Sequence, residues 1–500
     1  MYKKIAAILA GAAVLAAAGL ALAAPAELNI YGASAEFTYW NAAAGPYLTH
    51  LGCTLTPATP FTFGATNNTG NSVKHGYIAG TACSSALVPV NSATSKRDLT
   101  IRFTSIASGE GLLAVGKNPP LETDITNYPT ITSSTQCDTT QGQRAMLKDN
   151  TSNNLECHQV TVGASDVAGS NINQSVANAV YTNNGQHVIT SAIMAQFNLP
   201  TATYNVFDQG FEVPFCLYVN NGVVAHHCLD TTGRWTGGYC TQASDCVNPN
   251  NSQFSGPLTC QSTATTVSNL SRLQTVMLFS GQVPTWKWLG DYFGQNNFVN
   301  DTATCQADPN GNNGGSPNNT NCIGTVDDIV TKICHRIPGS GTVATLDYTI
   351  MNAGGTKWGS EIVTAENTDA TNPPLVKFNK STGDQLTCIA SASGAVGYAD
   401  CDQKQTGITQ VTYNGVLATG ATIRNGEYDF YSPAHLYTYK TDPQGLNSVI
   451  TDLESFLGNP ANIPSSEVNW WTSYNEKWFD RAYVTSYPVQ VGPPNMPVLP

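Results

Sequence analysis

The chain has 500 residues, too many for one hydrophobic core, so roughly two or three domains are expected. Charged residues make up 11% of it, against about a quarter in an average soluble protein, and the formal net charge is −12. That balance argues against nucleic acid or an anionic membrane as partner, but not against a small anion, whose binding depends on the groups nearest to it.

Met1-Tyr2-Lys3-Lys4 is a short basic start, and Ile5 to Ala24 is apolar and rich in alanine. Ala21-Leu22-Ala23 supplies small residues for cleavage, so residues 1–24 read as a signal peptide. No later stretch is long and apolar enough to span a bilayer, which predicts a soluble mature chain in the periplasm or outside the cell, expected to be a monomer.

Glu27 to Ser34 reads as a strand ending in a turn, and Glu36 to Leu51 as a helix. Thr54 to Ser95 is polar and reads as an irregular excursion. Leu99 to Ile106 alternates and is a strand; Ala107 to Val115 is a turn into a helix. Asn118 to Cys157 reads as a polar insertion, and Gln159 to Asp166 as a third strand with a turn at its end. Glu212 to Val219 is an apolar strand, followed by a Cys-rich loop at 226–262. Leu270 to Gly281 has helical apolar spacing and a glycine stop. Gly294 to Asn321 reads as a loop, Ala395 to Ala399 as a short strand, and Asp429 to Tyr439 as a strand with a proline break. Gly445 to Phe456 and Val468 to Phe479 read as terminal helices. Strands alternating with helices predict an α/β fold with mainly parallel sheets, whose ligands sit beyond the C-terminal ends of strands.

There are 14 cysteines, an even number. In an exported chain they read as up to seven disulfides. Cys228, Cys240, Cys246 and Cys260, with His226 and His227, fit the spacing of no common zinc module, so bridges are expected there and no metal or cofactor. No Cys-x-x-Cys-His offers a haem attachment, no His-Glu-x-x-His occurs, and no Ser-His spacing nominates a triad, so an enzyme is not expected.

The most telling stretch is His335-Arg336-Ile337-Pro338-Gly339-Ser340-Gly341-Thr342, which runs into the helix-compatible Val343 to Tyr348. Arg336 offers a planar fork of donors with a fixed charge. Gly339 and Gly341 let the backbone approach a ligand, and Ser340 and Thr342 add hydroxyls beside the free amides of a helix start. All of these groups favour a small oxyanion.

Turns at 32–37, 105–111, 163–166 and 336–342, in this order, resemble the phosphate-binding proteins of ABC importers, members of the type 2 periplasmic-binding-protein family. Gly32-Ala33-Ser34-Ala35-Glu36-Phe37 is similar to the family's Gly-Ala-Gly-Ala-Thr-Phe, and Ser105 to Gly111 to its Gly-Ile-Gly-Ser-Ser-Gly-Gly. Gly163-Ala164-Ser165-Asp166 repeats its Gly-Ala-Ser-Asp. Leu278 to Trp286 resembles Ile-Phe-x-Gly-Lys-Ile-x-x-Trp, Arg336 to Thr342 resembles Arg-x-Asp-Gly-Ser-Gly-Thr, and Gly394 to Tyr398 resembles Gly-Ala-Ile-Gly-Tyr.

The resemblance implies a two-lobed α/β fold with a ligand cleft between lobes and disulfide-rich loop insertions. It places lobe I at 25–210 and 430–500, and lobe II at 211–429 with the Cys-rich insertion 226–262. It implies that Glu36, Phe37, Ser108, Asp166, Arg336, Ser340, Gly341 and Thr342 line a site for phosphate or a related oxyanion, delivered to an ABC importer membrane complex. Asp166, which accepts only, would select a protonated oxyanion over sulfate. Three residues depart from the pattern: Glu36 for Thr, Glu110 for Gly, and Pro338 for the Asp that would neighbour Arg336. Glu110 is expected in the first turn of its helix, facing solvent. Glu36 either does the same or enters the cleft, where an ionised carboxylate would repel an anion. The alternative is a secreted surface protein that keeps the fold and has lost or changed its ligand.

Overall fold

The computed structural model describes residues 26–66, 72–92, 94–121, 137–172, 195–220, 223–231, 235–239, 257–265, 267–286, 289, 330–351, 366–441, 445–467, 471–473, 479–480 and 489–490. The predicted signal peptide and the loop at 294–321 lie outside these residues.

In chain order, β1 (Ala26–Gly32) leads into α1 (Phe37–His50), and β2 (Thr54–Thr66) and β3 (Ser72–Thr81) form a hairpin. β4 (Leu99–Ser105) turns into α2 (Ser108–Val115). β5 (Gln143–Leu147) and β6 (Leu155–Gln159) form a second hairpin, and β7 (Val162–Ser165) follows. β8 (Tyr204–Val219) is the longest strand, and β9 (Val223–Leu229), β10 (Trp235–Tyr239) and β11 (Thr259–Thr265) make a small separate sheet. Then come α3 (Arg272–Phe279), β12 (Lys332–Arg336), α4 (Gly341–Leu346), β13 (Leu375–Asn379), α5 (Thr382–Ala390), β14 (Ala395–Asp400), β15 (Thr409–Tyr413), α6 (Gly420–Arg424), β16 (Tyr431–Tyr439) and α7 (Asn447–Leu457). The fold is α/β and dominated by its sheet.

Among the described residues, a thirteen-stranded sheet organises the chain, in the order β13-β12-β14-β8-β16-β7-β1-β4-β3-β2 with short strands off this path. β1, β4 and β7 run parallel, and so do β12, β13 and β14. β8 joins the two groups. Its first part pairs antiparallel with β16, from Tyr204 opposite Tyr439 to Pro214 opposite Tyr431. From Phe215 onward it pairs with β14 instead.

The long strands β8 and β16 correct the expectation of mainly parallel sheets, because both run antiparallel to their neighbours. Other corrections have local causes. The excursion at 54–95 contains the β2–β3 hairpin, which extends the sheet beyond β4; threonines suit a pleated strand, and the Cys53–Cys83 disulfide joins its two ends. Within the polar insertion, residues 137–157 are strand-bearing and closed by Cys137–Cys157. Among the described residues, the Cys-rich stretch contributes to a three-stranded sheet in which Cys228 stands opposite Cys260. β4 does not alternate in burial: all seven residues are buried, as befits a strand covered on both faces.

The helix predicted at 468–479 is absent among the described residues. Thr472–Ser473 is a short strand against Phe211–Glu212 of β8, as the aromatic and β-branched composition of Trp470 to Tyr474 favours. Trp471 packs on Tyr39 and Phe211 at 4.9 and 5.0 Å between ring centroids. Cys216–Cys401 and Cys334–Cys388 tie β8 to the end of β14 and β12 to α5, and no cysteine is free among the described residues. No helix among the described residues is long and apolar enough to cross a membrane.

Candidate functional site

The two groups of parallel strands point their C-terminal ends at one another. Gly32, Ser105 and Ser165 end β1, β4 and β7; Arg336, Asn379 and Asp400 end β12, β13 and β14. The turns after these strands meet. The Gly109 amide donates to Gly339 O at 2.8 Å, Arg336 Nη2 donates to Ile106 O at 3.3 Å, and the Ser34 and Thr382 hydroxyls lie 3.0 Å apart. Gly32 lies at φ +140°, and a Cβ there would fall 2.2 Å from Ala164 O, so this turn needs glycine for conformation and space alike.

Arg336 is 1% exposed. Its Nε donates to Asn379 O, Nη1 to the hydroxyls of Thr342 and Thr382, and Nη2 to Ile106 O and Lys380 O, at 2.9–3.4 Å. All five acceptors are uncharged. Burial alone would lower the guanidinium pKa, and the charges of Asp166 and then Asp400 and Asp384 act against that. Behind it runs a positioning chain. Burial lowers the His335 pKa to about 3, so the ring is neutral; with Nε2 3.1 Å from Phe279 O, that nitrogen carries the proton and Nδ1 accepts from the Tyr398 hydroxyl at 3.1 Å. Tyr398 in turn accepts from the Arg336 amide at 3.2 Å.

Opposite stands a pair from the other strand group. Ser108 Oγ donates to Asp166 Oδ2 at 3.0 Å and accepts from the Asp166 amide at 3.2 Å. Burial outweighs the Ser108 bond and the Arg336 charge and pushes the Asp166 pKa up to about 6. Gly341 is wedged against this pair. Ser340 precedes α4 without capping it by its side chain, and α4 continues into Asp347–Met351, so the Thr342 amide and hydroxyl lie at the head of an extended helical stretch.

Arg336, Ser108, Asp166, Ser340, Gly341 and Thr342 are thus gathered and buried together. Glu36 is also turned inward: Oε2 accepts from Trp40 Nε1 at 2.9 Å, and burial, then the Asp166 charge, push its pKa well up. Phe37 packs against Phe103 at 5.3 Å between ring centroids and beneath Lys74. It lines a cavity of about 10 Å³ with Gly32, Trp40 and Ser105, the space of roughly one water. A larger cavity of about 250 Å³, lined by Lys117, Tyr439 and Ile450 among others, contains none of the predicted site residues.

Glu110 is not at the surface. It is fully buried, Oε1 accepts from the Leu121 amide at 2.6 Å, and Arg144 Nε lies 4.0 Å from Oε2, so its charge is met away from Asp166. The site also uses residues not expected to line it: Ser34 and Tyr398, which lie within matched motifs, and Asn379, Thr382 and Asp400, which do not. Asn379-Lys380-Ser381-Thr382-Gly383-Asp384 repeats the strand, Ser/Gly turn, helix pattern of the other turns, and Ser381 caps α5 by accepting from the Asp384 amide. That repetition was the available signal. No group of three or more metal-ligating side chains occurs among the described residues.

The fold and site are those of a sheet-dominated α/β chain with an enclosed polar junction between two strand groups. No family model matches the sequence, and no curated protein matches it. Among solved structures, the chain is similar to a phosphate-binding protein from Stenotrophomonas maltophilia (10% identity, 87% of this chain and 84% of that one, TM-score 0.39). It is likewise similar to a high-affinity periplasmic phosphate-binding protein, PfluDING (11% identity, 89% of each chain, TM-score 0.35), and to an ABC-type phosphate transport receptor from Vibrio cholerae (12% identity, 61% and 75%, TM-score 0.28).

Proposed function

We propose that this chain is an exported solute-binding protein, not an enzyme, that captures phosphate or a related oxyanion between two lobes. Lobe I comprises residues 25–210 and 430–500, and lobe II residues 211–429. The carrying observation is a fully buried guanidinium whose five bonds all go to uncharged oxygens, set across from the Ser108–Asp166 pair. Burying such a charge costs several kcal/mol unless an opposite charge or many dipoles answer it, and an oxyanion supplies the charge. The Arg336 bonds of 3.2–3.4 Å are long ones that an anion can replace with shorter, charge-assisted contacts.

On this reading the protein works in the periplasm or outside the cell and hands its ligand to an ABC importer. Calorimetry on the mature protein tests it. One molecule of phosphate or arsenate is expected to bind per chain, with sulfate much weaker because it has no proton to offer Asp166. No heat and no thermal shift with any of the three contradicts the proposal. A second reading, a secreted surface protein that has changed its ligand, draws on Glu36, a carboxyl placed where an anion binder of this plan has a hydroxyl. It predicts no response to phosphate or arsenate.

A further inference from the structure

Glu36 sits at the turn between β1 and α1 and is fully buried. Trp40 holds Oε2, whereas Oε1 is buried with no hydrogen-bond partner. After burial, the charge of Asp166 is what acts most on it. Two carboxylates so placed cannot both ionise in a buried site. Asp166 has the Ser108 hydroxyl and the Arg336 charge to stabilise its negative form; Glu36 has one indole N–H. The proton therefore rests on Glu36, and burial together with the Asp166 charge favours that form against the Trp40 bond.

Donors are scarce in the same site. Ser108 gives its proton to Asp166, and the N–H groups of Arg336 reach an anion only by giving up bonds they already make. A carboxylic acid supplies one more O–H. We propose that Glu36, in the oxyanion site inferred above and resting on that reading, is a neutral acid that donates a hydrogen bond from Oε1 to the bound phosphate or arsenate. Asp166, ionised, accepts from a protonated oxygen of the same ligand. Two carboxyl groups then do opposite work, a division set by their surroundings. Losing the Glu36 proton removes a donor and adds a negative charge facing the anion, so binding weakens as pH rises. The other titratable groups around it are Tyr39, on which the charges of Glu36 and Glu467 both act, Asp402 hydrogen-bonded to Glu467, and Asp400 and Asp384, whose charges act on Arg336.

The test is the phosphate affinity of the wild-type protein and of Glu36→Gln at about pH 6 and about pH 9. Comparing the two proteins cancels the ionisation of phosphate itself. Wild type is expected to lose at least about tenfold more affinity than the variant across this range, one pKa unit of coupling or more. Equal losses overturn the proposal. A second arm reads the Glu36 carboxyl by carbon NMR at neutral pH in ligand-free wild type, and so does not depend on the variant folding. A protonated carboxyl is expected, and an ionised one overturns the proposal. Absence of phosphate binding at both pH values overturns the oxyanion reading and, with it, the donor role; a protonated Glu36 in the NMR arm then shows that the failure lies with the ligand assignment.

Discussion

Gly341 shows how little room remains where the two strand groups meet. A Cβ there would stand 2.3 Å from Ser108 Oγ and 2.8 Å from Asp166 Oδ2, so the constraint is space. Gly341→Ala is expected to force these groups apart and weaken phosphate binding at least about tenfold, the scale of one lost charged hydrogen bond. Calorimetry checks it, and an unchanged affinity would mean that the pair takes no part. At this scale the sequence was legible where residues are neighbours in the chain and opaque where they are not. Arg336, Gly339 and Gly341, which carry the proposed anion site, are neighbours within one loop. The burial of Glu110 depends on Arg144 and on α2 being covered on every side, and neither shows in the helix's own eight residues. Glu36 stayed ambiguous because its neighbour Asp166 arrives from a strand far along the chain.

At the scale of elements, the strand-turn-helix units β1–α1 and β4–α2 and the helix α3 were readable, since each combines an apolar run with a local stop or cap. Ser271 completes a capping box with Gln274 at the head of α3. The β2–β3 hairpin was not readable, because its Thr, Pro and Gly residues imitate loop composition and its strand character comes from pairing with β4. The β13–α5 unit was missed although it carries Asn379 and Thr382 to Arg336. The Cys334–Cys388 disulfide joins β12 to α5 directly behind that contact, across a separation of 54 residues. Replacing both cysteines by serine is expected to cost about 4 kcal/mol of stability in the chain-entropy account. Denaturant unfolding measures it, and a loss well below 1 kcal/mol would mean that the packing of α5 on β12 suffices alone.

Across the whole molecule, β8 and β16 carry the chain between the strand groups, and buried acids join the segments that follow. Glu467 is hydrogen-bonded to Asp402, and burial, followed by the Asp402 charge, pushes its pKa up to about 7. A carboxyl whose folded pKa lies above its unfolded value contributes stability at low pH, lost as pH rises through the folded pKa. His75 and His335, held neutral by burial, act the other way, but only below the unfolded histidine value of about 6.5. Thermal stability is therefore expected to fall between about pH 6.5 and about pH 8, Glu36 and Asp402 acting in the same direction, and Glu467→Gln should reduce that fall. A profile that rises through this window, or a variant with the wild-type slope, would contradict the assignment.

The convergence of both strand groups on one oxyanion is tested most directly by equilibrium dialysis of labelled phosphate against wild type and Arg336→Ala. Wild type is expected to retain one phosphate per chain, and the variant, folded by circular dichroism, to bind at least about thirtyfold more weakly, the minimum for removing one partner of a buried charged contact. Equal retention by both proteins, or none by wild type, would contradict the account.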